Sequence, residues 1–288
     1  MKKIIINCDD LGISKETNDT IFESLKQGKA SSASILPNSR YFNHACKIIK
    51  KKFKKFSFGI HLNLTEGKAI YKNSKNKLSN PKGFFYHTPQ YFFFLNNSDK
   101  KIIEKSIYNE FRQQILLIKK RGIKISHFDT HQHIHQSKFI FDILVKLGKE
   151  FKIKRIRNVN EVFVLKIFFR NFLYKFFNLN YFKFFLIKII SYKKIKFFKS
   201  TNYFFGLLNS GLIDKNDFFD YLDNIKNNST VELCIHPSKI IKKTNKNRFN
   251  SFYNSINRVR EKELLFSKNF AADLKSRNIK LIKYIDLN

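Results

Sequence analysis

The stretch KIIINCDDLGIS, residues 3–14, decides the fold. Its three consecutive isoleucines read as a strand buried on both faces, the habit of parallel sheets covered by helices. The strand runs directly into two neighbouring carboxylates, Asp9 and Asp10, and then into Ser14, a good N-cap for a helix. In parallel α/β folds the C-terminal ends of the strands face the active site. The same alternation repeats along the chain. Ile21, Phe22 and Leu25 mark one face of a first helix. Ser32–Leu36 predicts a second strand, about Tyr41–Lys52 a helix, and Phe58–Leu62 a third strand. Lys68–Asp99 loses periodicity and reads as a long loop. Ile102, Ile103, Ile107, Phe111, Ile115 and Ile118 predict a long helix closed by Gly122. Lys124–Thr130 predicts a strand, Lys138–Lys149 a helix, and Ile153–Arg157 a short strand. Asp214 caps a helix running to about Lys226, and Val231–Ile235 is a strand ending at His236-Pro237. A helix near Glu261–Arg277 and a last strand, Lys280–Ile285, complete the pattern. Strands and helices in this order predict a mostly parallel α/β protein. The 288 residues are enough for one barrel domain of ordinary size.

Composition narrows the partners. A 43% hydrophobic content with 34 Phe excludes a mainly disordered chain. The 56 basic against 22 acidic residues give a formal charge of +34. That excess fits an anionic partner or the Lys- and Asn-rich coding bias of an AT-rich genome. Cys8, Cys46 and Cys234 form no CxxC pair, which argues against a disulfide scaffold or a cysteine-built zinc site. No secretory signal and no run of about 18 apolar residues is evident, so a cytoplasmic protein is expected.

Four blocks carry chemistry. Asp9 and Asp10 repel unless a cation or a proton lies between them; a capping Asp beside a solvated one is the alternative. His61, in FGIHLNLTEG, stands near the end of a buried strand, as a bonded core histidine also would. SHFDTHQHIHQ, residues 126–136, places His127, Asp129, His131, His133 and His135 at alternate positions, which in an extended strand share one face. Imidazole suits zinc and similar ions, and a neighbouring Asp can orient a ligating ring. His236, in VELCIHPS, again follows an apolar strand.

DDLG, GIHLNLTEG, SHFDTHQHIH and ELCIHP, in that order, resemble the YdjC-like carbohydrate deacetylase family, which includes chitooligosaccharide deacetylases. The resemblance covers nearly the whole chain, and Ser31–Leu36 with Asn38, and Gly83-Phe84, belong to it. It implies a single-domain, distorted (β/α) barrel with the active site at the C-terminal ends of the strands. It also implies a divalent ion, Mg2+ or Zn2+, held by Asp10, His61 and His131. Asp9 would be the general base, and His236 the general acid or oxyanion binder. His127, Asp129, His133 and His135 would support them. The implied reaction removes the acetyl group of an N-acetylated amino sugar, giving acetate and a free amine. Cys8 stands where Ala is common, and Gln132 replaces a His; neither removes a catalytic group. An ester or other amide substrate, or a non-catalytic membrane- or nucleic-acid-binding protein, are the competing readings.

Residues 162–200 differ from the rest. Phe, Leu, Ile and Tyr alternate there with Lys166, Arg170, Lys188 and other cations, without an acid between Glu161 and Asp214. The segment reads as a basic aromatic helical insertion. Such a segment suits an interfacial helix and peripheral contact at the inner face of a membrane; a packed helix pair with wet lysines is the alternative. Arg170 is its one arginine, which argues against nucleic acid. TNYFFGLLNSG, 201–211, resembles the hopanoid-biosynthesis-associated branch of the family and implies a glycolipid substrate. A homodimer is also compatible with the sequence.

Overall fold

Apolar strands that must bury both faces collect into a parallel sheet covered by helices. The computed structural model describes residues 1–73, 77–170, 179–190, 197–240 and 255–287. Strands β1 (Lys3–Leu11), β2 (Ser32–Ile35), β3 (Ser57–Leu62), β4 (Ile125–Thr130), β5 (Tyr203–Phe205) and β6 (Thr230–Ile235) lie in the order β4-β3-β2-β1-β6-β5, all parallel. A short β7 (Lys280–Leu281) pairs with the start of β1. The sheet curls, and residues 154–160 span its open side. Ile156 bridges to Phe128 of β4, and Arg155 bridges to Lys199 just before β5. The result is a single-domain, distorted (β/α) barrel.

Helices α1 (Lys15–Lys26), α2 (Phe42–Ile48), α3 (Asn97–Lys120) and α4 (Lys138–Phe151) cover the early strands. The Ser14 side chain accepts from Thr17 N, and that of Asp214 accepts from the first turn of the helix Lys215–Asp223, so both expected caps are present. Gly122, at φ +71°, takes the left-handed turn after α3. The main core joins the outer, helix-facing side of β1–β4 and β6 to Ile107, Phe111, Ile115 and Ile118 of α3 and to Ile140, Ile143, Leu144 and Leu147 of α4.

Five expectations on secondary structure change. The extended stretch through the histidine block stops at Thr130. His131–Gln136 is a tight 3-10 segment, with Gln132 and His133 at φ +57° and +60°. His133 and His135 therefore leave the strand face that His127 and Asp129 share. Ile153–Arg157 makes single bridges rather than a ladder. The last strand stops at Leu281 and gives way to a 3-10 turn, Tyr284–Asp286, and the preceding helix divides at Ser267. The helix beginning near Tyr41 turns into a π-helical end, Ile49–Phe53. β5 carried no clear signal, because three residues inside an aromatic run show no period.

The 162–200 segment is described only in part. It includes short helices at Leu165–Phe169 and Leu179–Ile190. Phe184 and Ile187 of the second pack with Val159, Phe204 and Leu207. Lys175, Lys183, Lys193, Lys194 and Lys196 fall on residues or side chains outside those described. No helix among the described residues is long and apolar enough to cross a membrane.

Candidate metal centre and catalytic site

β1 delivers both carboxylates by breaking its own regularity. The β1–β2 register shifts between Cys8 and Leu11, and Asp10 takes φ +65°. A non-glycine residue is held there only by surrounding structure, though Asp tolerates the region better than most. Gly12 completes the turn at φ +114°; a Cβ there would stand 2.5 Å from Ser39 Oγ. Asp9 and Asp10 thus point to separate partners instead of repelling one another.

Asp10, His61 and His131 converge. His61 Nε2 is 3.3 Å from His131 Nδ1 and 3.6 Å from Asp10 Oδ1, and His131 Nδ1 is 3.9 Å from the same oxygen. Donors about 2.0–2.2 Å from one ion at tetrahedral angles stand roughly 3.3–3.6 Å apart. Asp10 Oδ1 is buried and accepts no hydrogen bond among the described residues, a costly condition unless a cation faces it. The next layer also suits an ion. His61 Nδ1 meets Asp129 Oδ1 at 2.9 Å, which leaves Nε2 to ligate. His131 Nε2 faces Glu66 Oε2 at 3.4 Å, and Gln132 donates to the other Glu66 oxygen at 3.1 Å. The residues present therefore fit a divalent ion.

Asp9 is held differently. Arg157 donates to both its oxygens, at 2.7 and 2.6 Å, and Asn7 Nδ2 donates at 2.7 Å. Arg157 is fully buried and also meets Asp129 and Glu232, at 3.2 and 2.7 Å. One guanidinium thus serves three carboxylates, its fork matching oxygen pairs as a lysine could not. Burial opposes ionisation of Asp9, but Arg157 and then His61 outweigh it and keep the carboxyl well below its ordinary range. Asp129 is lowered likewise, against burial, by Arg157 and His61. Burial pushes Glu232 up to about 7 despite Arg157.

His61 shows the reverse balance. Burial disfavours its charged form, yet Asp129, Asp9 and Asp10 raise it to about 9. Asp10 is lowered because Arg258 and nearby histidines overcome burial; Arg258 Nη1 donates to its Oδ2 at 3.2 Å.

His236 follows β6. Its Nε2 lies 3.9 Å from Asp9 Oδ2, and its Nδ1 lies 3.5 Å from Glu261 Oε2. Glu261 also accepts from the His236 backbone N–H and, at 2.7 Å, from Gly211 N. It thereby joins the histidine to the loop after β5. Arg258 and Glu261 share one face of the helix Ile256–Phe266.

The other histidines of the 126–136 block have partners of their own. His127 stacks on Tyr284, with centroids 3.5 Å apart. Its ring also lies where a Gly59 Cβ would come within 2.4 Å. His135 Nδ1 bonds Thr130 Oγ1 at 2.7 Å, and burial lowers its pKa to about 3, so it is neutral. His133 lies edge-on to Phe204. Among the described residues, none of these three belongs to a group able to hold an ion.

Sequence reasoning missed Arg157, Glu66, Glu232, Arg258 and Glu261. Glu66 and Glu232 each sat inside a quoted motif without a role. The i, i+3 pair Arg258–Glu261 was the one local signal available, and Arg157 offered none.

The fold and site define a parallel (β/α) protein with an Asp–His–His cluster able to hold a metal ion, beside an arginine-held aspartate. The chain belongs to the YdjC-like protein family, whose description matches residues 3–276. It is 28% identical over 289 residues to a carbohydrate deacetylase of Clostridium beijerinckii, covering 99% of this chain and all of that one. It is 32% identical to a carbohydrate deacetylase of Halalkalibacterium halodurans over 52% of this chain and 61% of the relative. The crystal structure of an Enterococcus faecalis V583 protein linked to cellobiose-phosphate cleavage superposes with TM-score 0.73 at 22% identity. That match covers 98% of this chain and 97% of the other, and it supports the fold.

Proposed function

We propose that the protein is a metal-dependent hydrolase that removes the N-acetyl group of an amino sugar. The observation that carries this is the convergence of Asp10, His61 and His131, with Asp9 and His236 alongside. Relatives named carbohydrate deacetylases support the substrate class. Asp10, His61 and His131 would hold a divalent ion, which when bound supplies Lewis acidity toward the acetyl carbonyl. Nitrogen donors favour zinc or a similar ion, while magnesium stays open.

The protein's own groups handle the protons. Asp9, ionised and aimed by Arg157, takes a proton from the attacking water. Its low pKa weakens it as a base, so its contribution is chiefly position. His236 gives a proton to the leaving nitrogen, which would otherwise depart as an unstable amide anion. Glu261 fixes the ring for that transfer. The products are acetate and a free amine.

A glycolipid substrate is the finer reading. The 201–211 passage supports it, as do Leu165, Phe169 and Phe185, each more than half exposed on the 162–200 insertion. Two of that segment's cations are already engaged, however. Lys166 pairs with Asp220, and Arg170 with Asp217 and Asp220. Membrane contact would therefore rest more on apolar side chains than on charge.

The test is acetate release from N,N′-diacetylchitobiose, free N-acetylglucosamine and an N-acetylglucosaminyl lipid, with and without chelator. Chelator-sensitive release from the lipid alone supports the glycolipid reading. Release from chitobiose alone keeps deacetylation and makes 162–200 a packing element. No release from any of them, with metal bound, moves the substrate to another amide or an ester.

A further inference from the structure

At the end of the barrel opposite the metal centre, the chain builds a second concave site. A cavity of about 580 Å³ opens where the N-terminal ends of β3 and β4 meet the segments following α2, α3 and α4. That is ordinary size for a small-molecule pocket. Its floor is apolar, with Ile49, Phe58, Ile123 and Ile153. Its lining includes seven cationic side chains, among them Lys54, Lys124, Lys152 and Arg155, and no carboxylate among the described residues.

Two features separate this cluster from the general basic excess. Arg155 is fixed in place: its Nη2 and Nε donate to the carbonyls of Ile285 and Leu287, at 2.7 and 3.1 Å. Lys283 adds another cation beside the cavity, donating to Lys55 O at 3.2 Å. Asp286, the acid next to the lining residue Ile285, accepts from Lys283 N within its own turn. The helix C-termini that converge here carry about half a negative charge each. Three of them offset only about one and a half of the seven positive charges. The site therefore holds a large excess of positive potential inside a concave wall, which focuses it.

We propose that this cavity binds a phosphorylated small molecule with an apolar or aromatic body, of the nucleotide class. The lysine and arginine heads would take the phosphates, and the isoleucine and phenylalanine floor would take the body.

The experiment is fluorescence anisotropy of an N-methylanthraniloyl ADP titrated with the metal-loaded, full-length protein at 150 mM KCl. Competition with unlabelled ADP, inorganic triphosphate and a single-stranded oligonucleotide follows. Saturable binding is expected, weakened at least about tenfold in Lys54→Glu/Lys124→Glu. It should change less than about twofold in Lys101→Glu/Lys105→Glu, which alters net charge equally on α3. Asp10→Asn should bind as the parent does, because the metal centre is at the other end. An equal loss in both double variants would reduce the site to diffuse charge and overturn the proposal. So would loss in Asp10→Asn, no saturation at this salt, stronger competition by the oligonucleotide, or triphosphate competing as well as ADP.

Discussion

Asp9→Asn separates catalysis from metal binding. The substitution removes one charge from a carboxylate that accepts two bonds from Arg157 and one from Asn7. Asp129 and Glu232 still face the guanidinium, so the cation is not stranded. Losing a charge-assisted pair of this kind costs about 1.5–3 kcal/mol, within the roughly 5–15 kcal/mol of a stable domain. The variant should fold. Asp10, His61 and His131 are untouched, so metal content should match the parent. The rate should fall by roughly 10²–10⁴, the usual range for a general base. That equals about 2.7–5.4 kcal/mol of activation free energy. The assay is acetate release on whichever substrate the parent turns over, with metal content by elemental analysis and stability by urea unfolding on the same samples. An unchanged rate would remove Asp9 from the base role. Loss of metal comparable to that of His131→Ala would make Asp9 a ligand, as its neighbours Cys234 and His236, or His61 and Asp129, would allow.

Four further outcomes are expected. Arg157→Met leaves three buried carboxylates without their cation and should cost about 3–5 kcal/mol of unfolding free energy by urea titration; a change under about 1 kcal/mol would show that they neutralise one another by protonation. In the ion-free protein His61 carries a proton up to about pH 9. Its contribution to stability is therefore complete below its ordinary value and is lost as pH rises through about 9, and metal loading at pH 7.5 should release about one proton. Calorimetry in buffers of different ionisation enthalpy measures that release, and none would contradict the assigned ligand. Glu261→Gln should lower kcat about 10- to 100-fold with metal content unchanged; loss of metal instead would place Glu261 in the ion's support. Gly59→Ala drives a Cβ into the His127 ring and should cost about 1–3 kcal/mol, read from the shift in urea midpoint.

Much of this protein is local and therefore legible along the chain. Burying Ile4, Ile5 and Ile6 on both faces requires a parallel sheet, and Ser14 and Asp214 announce helix starts through their own side chains. Asp10, His61 and His131 were singled out by the family resemblance; they stand at or just past the C-terminal ends of β1, β3 and β4, which parallel strands gather on one face. The alternation rule failed at Thr130. It assumes an extended backbone, and the left-handed pair Gln132–His133 turns His133 and His135 off the strand face. Arg157 was not legible, because its meaning lies in contacts with Asp9, Asp129 and Glu232, 148, 28 and 75 residues away. From the residues and the resemblance alone came the candidate groups, with Asp10 assigned to an ion and Asp9 to the base role. The neighbours that set their charge came from the folded chain: His61 and His131 beside Asp10, and the Arg157 fork on Asp9, because burial brings together charges that lie far apart in sequence.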